Sequence, residues 1–292
     1  MIKMMSWFVI TVFAFGFISA STIPVAQQDR MNLFLLRTAI EKGNVSETMR
    51  LIQQGIDLNA RFDDGQSPIH FAAEMGNLNV IETLIDHGSN VNDRDDDTQQ
   101  TPLHFAAEKG HADVVKYLIQ HGALVNVKDS DGGTPLHEVG WNVDANVTNV
   151  LIKYGANVNA EDYSGTTPLH RVALLGVPDV ARILIEHGAN VNAIDRSGTS
   201  VLHKAASNSR AKVTEVLIKH GAHIDAIDFS NGQMTPIHYA VAQGLGDVVK
   251  VLIDNGANVN AKSKFGKMPL DFVAPNGEEH IEKMLIEKGA HH

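Results

Sequence analysis

The 292-residue sequence contains no cysteine, which excludes disulfide bonds, thiolate metal ligands and a cysteine nucleophile. It also has no excess of basic residues: 24 Lys and Arg stand against 34 Asp and Glu, for a formal net charge of −10. Proteins that bind nucleic acids normally present a concentrated basic face, so no nucleic-acid partner is expected. Hydrophobic residues make up 43% of the chain, which is enough to bury a sizeable core.

Short catalytic motifs are missing as well. The chain has no HExxH pair for a helical zinc site, no phosphate-binding P-loop or GxGxxG sequence, and no GxSxG nucleophile turn. We therefore expect no enzyme, no cofactor and no metal site. A rival interpretation, an activity that depends on a small molecule or a metal, would be detected as a ligand that shifts the melting temperature.

The N-terminus has the three-part layout of a secretory signal peptide. Lys3 precedes an apolar run from Met4 to Ile18, and small residues follow at positions 19–21. The run is shorter than the roughly 20 residues that a membrane-spanning helix needs. We predict a signal peptide at 1–20, a linker at 21–30, and a secreted or periplasmic protein. The alternative is an uncleaved segment that anchors the protein, the only case in which contact with a membrane is expected.

The remainder of the chain repeats itself at intervals of 33 to 35 residues, which predicts stacked units that share one core. Glycines that end an apolar helical stretch recur at Gly55, Gly88, Gly122, Gly155, Gly188, Gly221, Gly256 and Gly289. A tetrapeptide recurs at the same intervals: SPIH at 67–70, TPLH at 101–104, 134–137 and 167–170, SVLH at 200–203, TPIH at 235–238, and MPLD at 268–271.

Each repeat predicts two helices and a turn. Thr101 is a favourable N-cap, Pro102 suits the first helical position, and Gly110 permits the left-handed conformation that ends a helix. A second amphipathic helix follows and ends at Gly122. The Asp, Ser and Gly residues after it predict a tight turn, here called the finger, that leads into the next unit.

This pattern resembles the ankyrin repeat, whose consensus contains T-P-L-H-x-A at a period of 33 residues. The resemblance covers residues 31–292 and implies an all-α repeat solenoid of about eight units. The final unit departs from the motif at Met268 and Asp271. The absent cysteines and the short export signal are typical of an exported bacterial protein. We number a capping unit at 31–60 and then units 1 to 7 at 61–93, 94–127, 128–160, 161–193, 194–226, 227–261 and 262–292.

The resemblance also accounts for most of the histidines. In ankyrin repeats the imidazole at the fourth place of the tetrapeptide bridges the turn and the adjoining repeat. The implied structural residues are His70, His104, His137, His170, His203 and His238. Four others, at 87, 121, 187 and 220, precede a helix-ending glycine, where a side chain that can carry positive charge is favoured.

In ankyrin proteins, partners contact the finger tips and the two residues that follow the Ala pair of each first helix. Trp141 occupies such a position, and it is one of only two tryptophans. The residues predicted to bind a partner are Trp141, Asn142, Tyr163, Leu174, Leu175 and Phe229. An alternative is that Trp141 turns inward to fill space, because unit 3 is the most divergent. We expect a monomeric, exported scaffold that binds another protein, of unknown identity, through its concave groove and finger tips.

Overall fold

The computed structural model describes residues 25–141, 145–229, 232–274 and 279–291, with side chains from residue 27 onward. The predicted signal peptide and Asn142 lie outside these residues. Within them, each of units 1 to 7 consists of a finger followed by two helices, and the capping unit supplies two helices. The helices are α1 Val25–Glu41, α2 Val45–Gln53, α3 Pro68–Met75, α4 Leu78–Asp86, α5 Pro102–Lys109, α6 Ala112–Gln120, α7 Ala145–Lys153, α8 Pro168–Leu175, α9 Pro178–Glu186, α10 Val201–Ala206, α11 Ala211–Lys219, α12 Pro236–Ala242, α13 Gly246–Asp254 and α14 Glu279–Glu287.

Units 3 and 7 have a 3₁₀ helix in place of the first α-helix. These segments are Pro135–Gly140 and Pro269–Phe272. At the N-terminus, α1 begins at Val25, so part of the predicted 21–30 linker is helical. None of the helices in the described ranges is long and apolar enough to span a bilayer.

The repeated tetrapeptide sets where each first helix begins. In α5, Thr101 is the N-cap in extended conformation, Pro102 follows, and the side chains of Thr101 and His104 complete a capping box. The helix ends at Lys109 and is capped by Gly110, whose φ of 86° lies in the left-handed region. A residue with a side chain is disfavoured in that conformation, which explains the glycine.

The helices form two layers around one continuous core. First helices pack against first helices of neighbouring units, and second helices against second helices. In the N-terminal half, the first helices pack more extensively against one another than the second helices do. Small residues such as Ala72, Ala73, Ala106 and Ala107 are fully buried there and let the helices approach closely.

The fingers are short turns that are joined to each other. In five of them a hydrogen bond closes the turn between residues four apart, as from Asp162 N–H to Thr166 O at 3.0 Å. In units 2 and 6, inserted residues lengthen the turn, and Gln99 and Gln233 absorb the change with positive φ angles. Neighbouring tips are linked as well: Tyr163 N–H donates to Asp131 O at 2.8 Å.

Candidate partner-binding groove

The six tetrapeptide histidines have the same hydrogen bonds in every unit. The backbone N–H of the capping residue donates to Nδ1, at 3.1 Å for Thr101 and His104. Nε2 then lies 3.0–3.4 Å from a carbonyl oxygen of the following unit, which is Gly133 O for His104 and Thr166 O for His137. Because Nδ1 accepts, the proton is on Nε2 and donates to that carbonyl. Each imidazole therefore joins two successive units in its neutral form.

Burial keeps these rings neutral. It lowers the pKa of His104 to about 4 and that of His170 to about 4, against an ordinary value of 6.5. The pKa values of His70, His137, His203 and His238 are lowered for the same reason.

The other repeated histidines have different partners. Nδ1 of His121 lies 2.9 Å from Tyr117 O, one helical turn back, and His87, His187 and His220 repeat this geometry. His111 instead donates from Nε2 to Glu74 O of the preceding unit at 2.9 Å. In the ranges that the structure describes, no three His, Asp or Glu side chains converge as metal ligands do.

One variable position per unit follows the Ala pair at the end of each first helix, and these positions are here called the groove column. Its members are Glu74, Glu108, Trp141, Leu174, Ser207 and Ala242. At the acidic end, Lys109 Nζ lies 2.8 Å from Glu108 and 3.4 Å from Glu74. The column therefore changes from acidic in units 1 and 2 to apolar in units 3 and 4.

Trp141 and its neighbours form the apolar part of the groove. Trp141 is 58% exposed, which excludes the alternative that its ring fills the interior, and Leu174 is 38% exposed. Leu175 is half-buried and packs on unit 3: a Cβ atom added to Gly140 would lie 2.7 Å from its Cδ1. The absence of a side chain at Gly140 thus lets the ends of two first helices come together below Trp141.

Two other predicted partner residues lie on a different surface, the finger tips. Tyr163 packs over Gly132 of the preceding finger, with Lys128 Nζ 5.7 Å from its ring centroid. The backbone and Cβ of Phe229 lie against Gly198 of the preceding finger, and Phe229 is 69% exposed. The described candidates are therefore divided between a groove set (Trp141, Leu174 and Leu175) and a tip set (Tyr163 and Phe229).

Glu138 is a groove residue that the sequence interpretation missed. It is half-buried one turn before Trp141, and the Trp141 side chain slightly lowers the pKa of its carboxyl group. Burial is the main cause that raises its pKa to about 7; the charges of Asp129 and Glu108 raise it further, and Arg171 opposes them. A carboxyl group with such a pKa is frequent at functional sites.

The structure thus defines a class of protein: a solenoid of stacked helical pairs with a row of finger tips along it. Sequence comparison gives the family. Models described as ankyrin repeats (3 copies) match residues 93–162 and 141–228, and models described as ankyrin repeats (many copies) match residues 36–85 and 217–273. The chain belongs to the ankyrin repeat family.

Among solved structures, the chain is similar to the human ASB11 ankyrin repeat domain. The two share 30% identity with a TM-score of 0.69 over 77% of this chain and 99% of that domain. Curated relatives include acyl-CoA-binding domain-containing protein 1 of Arabidopsis thaliana, 42% identical over 15% of this chain and 13% of that protein. Myotrophin of Xenopus tropicalis is 36% identical over 18% of this chain and 44% of its own length. The chain spans less than half the length of these curated relatives. The shared fold generally serves as a non-catalytic scaffold for protein–protein interaction.

Proposed function

We propose that this protein binds a protein partner through the groove at units 3 and 4, with Trp141 as the central contact and no catalysis of its own. The observation that carries the proposal is the exposed indole of Trp141 above the packed ends of two first helices. Exposed aromatic side chains in such a position are frequent energetic centres of protein interfaces. The tip residues Tyr163 and Phe229 would extend the contact beside the groove.

We further propose that the protein acts outside the cytoplasm, in a secreted or periplasmic form. The basic, apolar and small-residue segments of residues 1–21 support export. The N-terminal residue of the purified protein distinguishes the two forms: Ser21 indicates cleavage, and Met1 indicates the membrane-anchored alternative.

The test of the groove is the affinity of a partner, isolated with the full-length chain, for the wild type and for Trp141→Ala. Removing a buried aromatic anchor should weaken binding by about 2 kcal/mol or more. Ser207→Ala, in the same column two units away, is the matched control and should leave the affinity unchanged. Circular dichroism and thermal unfolding establish that both variants keep the fold.

An intact Trp141→Ala variant with wild-type affinity would contradict the proposal. The binding surface would then have to be sought at the finger tips, where Phe229 and the extended finger of unit 2 near Asp95 are the next candidates.

A further inference from the structure

The residue directly after the tetrapeptide histidine has a regular partner in units 4, 5 and 6. Arg171 lies 3.4 Å from Asp162, Lys204 lies 2.8 Å from Asp195, and the Tyr239 hydroxyl donates to Asp228 at 2.6 Å. In each of these units a hydrogen-bond donor on the first helix faces the carboxylate of its own finger.

Unit 3 has an acid in place of the hydrogen-bond donor at this position. Its residue at that position is Glu138, and the carboxylate of its own finger is Asp129, so two acids occupy the place of an acid and a donor. Asp129 is buried and accepts backbone N–H groups from Asp131 and Gly133, at 3.0 and 2.7 Å. Those bonds give the Asp129 carboxylate hydrogen-bond donors, but they do not compensate a negative charge on Glu138.

The charged groups that face Glu138 come from three neighbouring elements. Arg171 of α8 places a positive charge near Glu138, but its guanidinium also forms an ion pair with Asp162. Asp129 of the finger and Glu108 of α5 add negative charge, and Lys109 is engaged by Glu108 and Glu74. This part of the groove therefore holds more carboxyl groups than cations, directly beside an exposed indole.

We propose that this part of the groove receives an arginine side chain of the protein partner, with its guanidinium against the Trp141 indole and its N–H groups directed at Glu138 and Glu108. The inference rests on the proposed function and specifies the partner's chemistry. A planar guanidinium both stacks on an aromatic face and donates in a fork to carboxylates. The methylene stem of the arginine would lie along Leu174.

The chain uses the same combination within itself. The Arg37 guanidinium carbon lies 4.3 Å from the ring centroid of Phe71, and an Arg37 nitrogen lies 2.7 Å from an oxygen of Asp64. An aromatic face and a carboxylate together thus hold an arginine at the acidic end of the molecule, and the groove at unit 3 places an exposed indole beside the carboxyl groups of Glu138 and Glu108.

Binding of the arginine side chain should depend on pH, because it requires the ionised form of Glu138. With a pKa of about 7, Glu138 is largely protonated at pH 6 and largely ionised at pH 8. Only the ionised form provides the charge that attracts the guanidinium, so binding should strengthen as the pH rises from 6 to 8. The bound cation would itself lower the pKa of Glu138 and favour the ionised form.

The experiment uses the full-length chain and the peptide acetyl-Leu-Arg-Leu-amide, with citrulline and lysine versions of the peptide as probes of charge and shape. The readout is the indole N–H resonance of Trp141 in nitrogen-15 spectra, separated from that of Trp7 by a Trp141→Phe variant. We expect the arginine peptide to shift this resonance, and the citrulline peptide, which is uncharged but similar in shape, to bind at least about tenfold more weakly. The lysine peptide should bind with intermediate strength, since ammonium lacks the planar fork.

Glu138→Gln should weaken the arginine peptide about tenfold at pH 8 and abolish the change between pH 6 and pH 8. Glu186→Gln, an exposed acid at the end of α9, is the matched control and should retain both. Equal binding of the arginine and citrulline peptides, or an unchanged affinity of Glu138→Gln, would overturn the proposal. If a natural partner loses affinity with Trp141→Ala but not with Glu138→Gln, the arginine inference fails while the proposed function stands.

Discussion

Units 2 and 3 share the tetrapeptide TPLH and differ in the residues after it. In unit 2, α5 continues for eight residues to Lys109 and is capped by Gly110 in the left-handed conformation. In unit 3, a 3₁₀ helix ends at Gly140, and the cap is Trp141 in right-handed conformation, with φ −74° and ψ −24°. The first helix of unit 2 is capped by a glycine, which has no side chain that could contact a partner. That of unit 3 is capped by a residue with an exposed indole.

The comparison links local stability to function. A 3₁₀ helix has poorer hydrogen-bond geometry than an α-helix, and Gly140 replaces the second alanine of the buried pair. The same changes bring Leu175 against Gly140 and leave Trp141 on the surface. Natural proteins break local rules most often where a site requires it. In this chain the unit that departs furthest from the repeat carries the candidate site.

The largest effect expected from this comparison is a difference in how units 2 and 3 change the free energy of unfolding at acidic pH. The pKa of His104 in unit 2 falls to about 4 on folding, so the stability that its neutral form provides is lost as the pH drops from 6.5 toward 4. The pKa of Glu138 in unit 3 rises to about 7, so it acts with the opposite sign and favours folding as the pH drops. Between pH 7 and pH 5, each group changes the free energy of unfolding by about 2 kcal/mol.

His104→Asn should therefore lose less stability than the wild type between pH 7 and pH 5, although it is less stable at pH 7 by about 1–3 kcal/mol. Glu138→Gln should lose more than the wild type. Urea unfolding at pH 5, 6 and 7 measures the three slopes. Parallel slopes in all three proteins would show that neither group governs the response to acid.

A second prediction concerns local opening, where the expected difference is about 1 kcal/mol. Amides of the 3₁₀ helix Pro135–Gly140 should exchange with solvent about fivefold faster than those of α5, because nearest-neighbour terms determine stability in repeat arrays. Hydrogen exchange measured by mass spectrometry under native conditions resolves the two segments. Equal protection would mean that the contacts with units 2 and 4 fully offset the irregular helix.

The helical framework could be predicted because each unit depends on a few residues with strong local preferences. Thr101, Pro102 and Gly110 define where α5 begins and ends, and the structure has the helix between those residues. The 33-residue period then implies the stacking. Departures from the regular repeat were harder to predict. Helix α1 begins at Val25, before the predicted start of the array, and the 3₁₀ helix of unit 3 was not predicted.

A second set of bonds between units was missed although the sequence contains its signal. Asn126 accepts from Asn157 N–H at 2.8 Å and donates to Gly155 O at 2.9 Å, so one side chain joins two units. Equivalent bonds arise from the recurring Val-Asn pair, at Asn92, Asn159, Asn192 and Asn260. The recurrence could have been found by aligning the repeats in the same way as the histidines.

The candidate site was less predictable, because it depends on contacts between units. Tyr163, for example, packs over Gly132 of the preceding finger, a contact that the sequence of its own unit does not show. Glu138 could have been singled out by comparing it with Arg171, Lys204 and Tyr239 at the same place in the repeat. Its pKa of about 7, however, depends on burial and on the charges of neighbouring units.

The smallest expected effect, Gly140→Ala, tests directly why unit 3 differs from unit 2. The φ angle of Gly140 is not in the left-handed region, so alanine fits the backbone there and should favour the helix by about 0.5–1 kcal/mol. The new Cβ would meet Leu175 Cδ1, the end of a half-buried and flexible side chain, whose displacement costs a comparable amount. We therefore expect the free energy of unfolding to change by no more than about 0.5 kcal/mol. The affinity for a partner at the groove should change, because Leu175 is displaced.

Gly110→Ala in unit 2 is the matched control, because there the φ of 86° is itself the requirement. Alanine at Gly110 should destabilise the protein by about 1 kcal/mol or more without touching the groove at unit 3. Urea unfolding of both variants gives the two stabilities. A loss at Gly140 as large as that at Gly110 would mean that Leu175 cannot move and that the close approach of units 3 and 4 is rigid. A small loss at Gly140 with altered partner affinity would show instead that this glycine serves the shape of the groove.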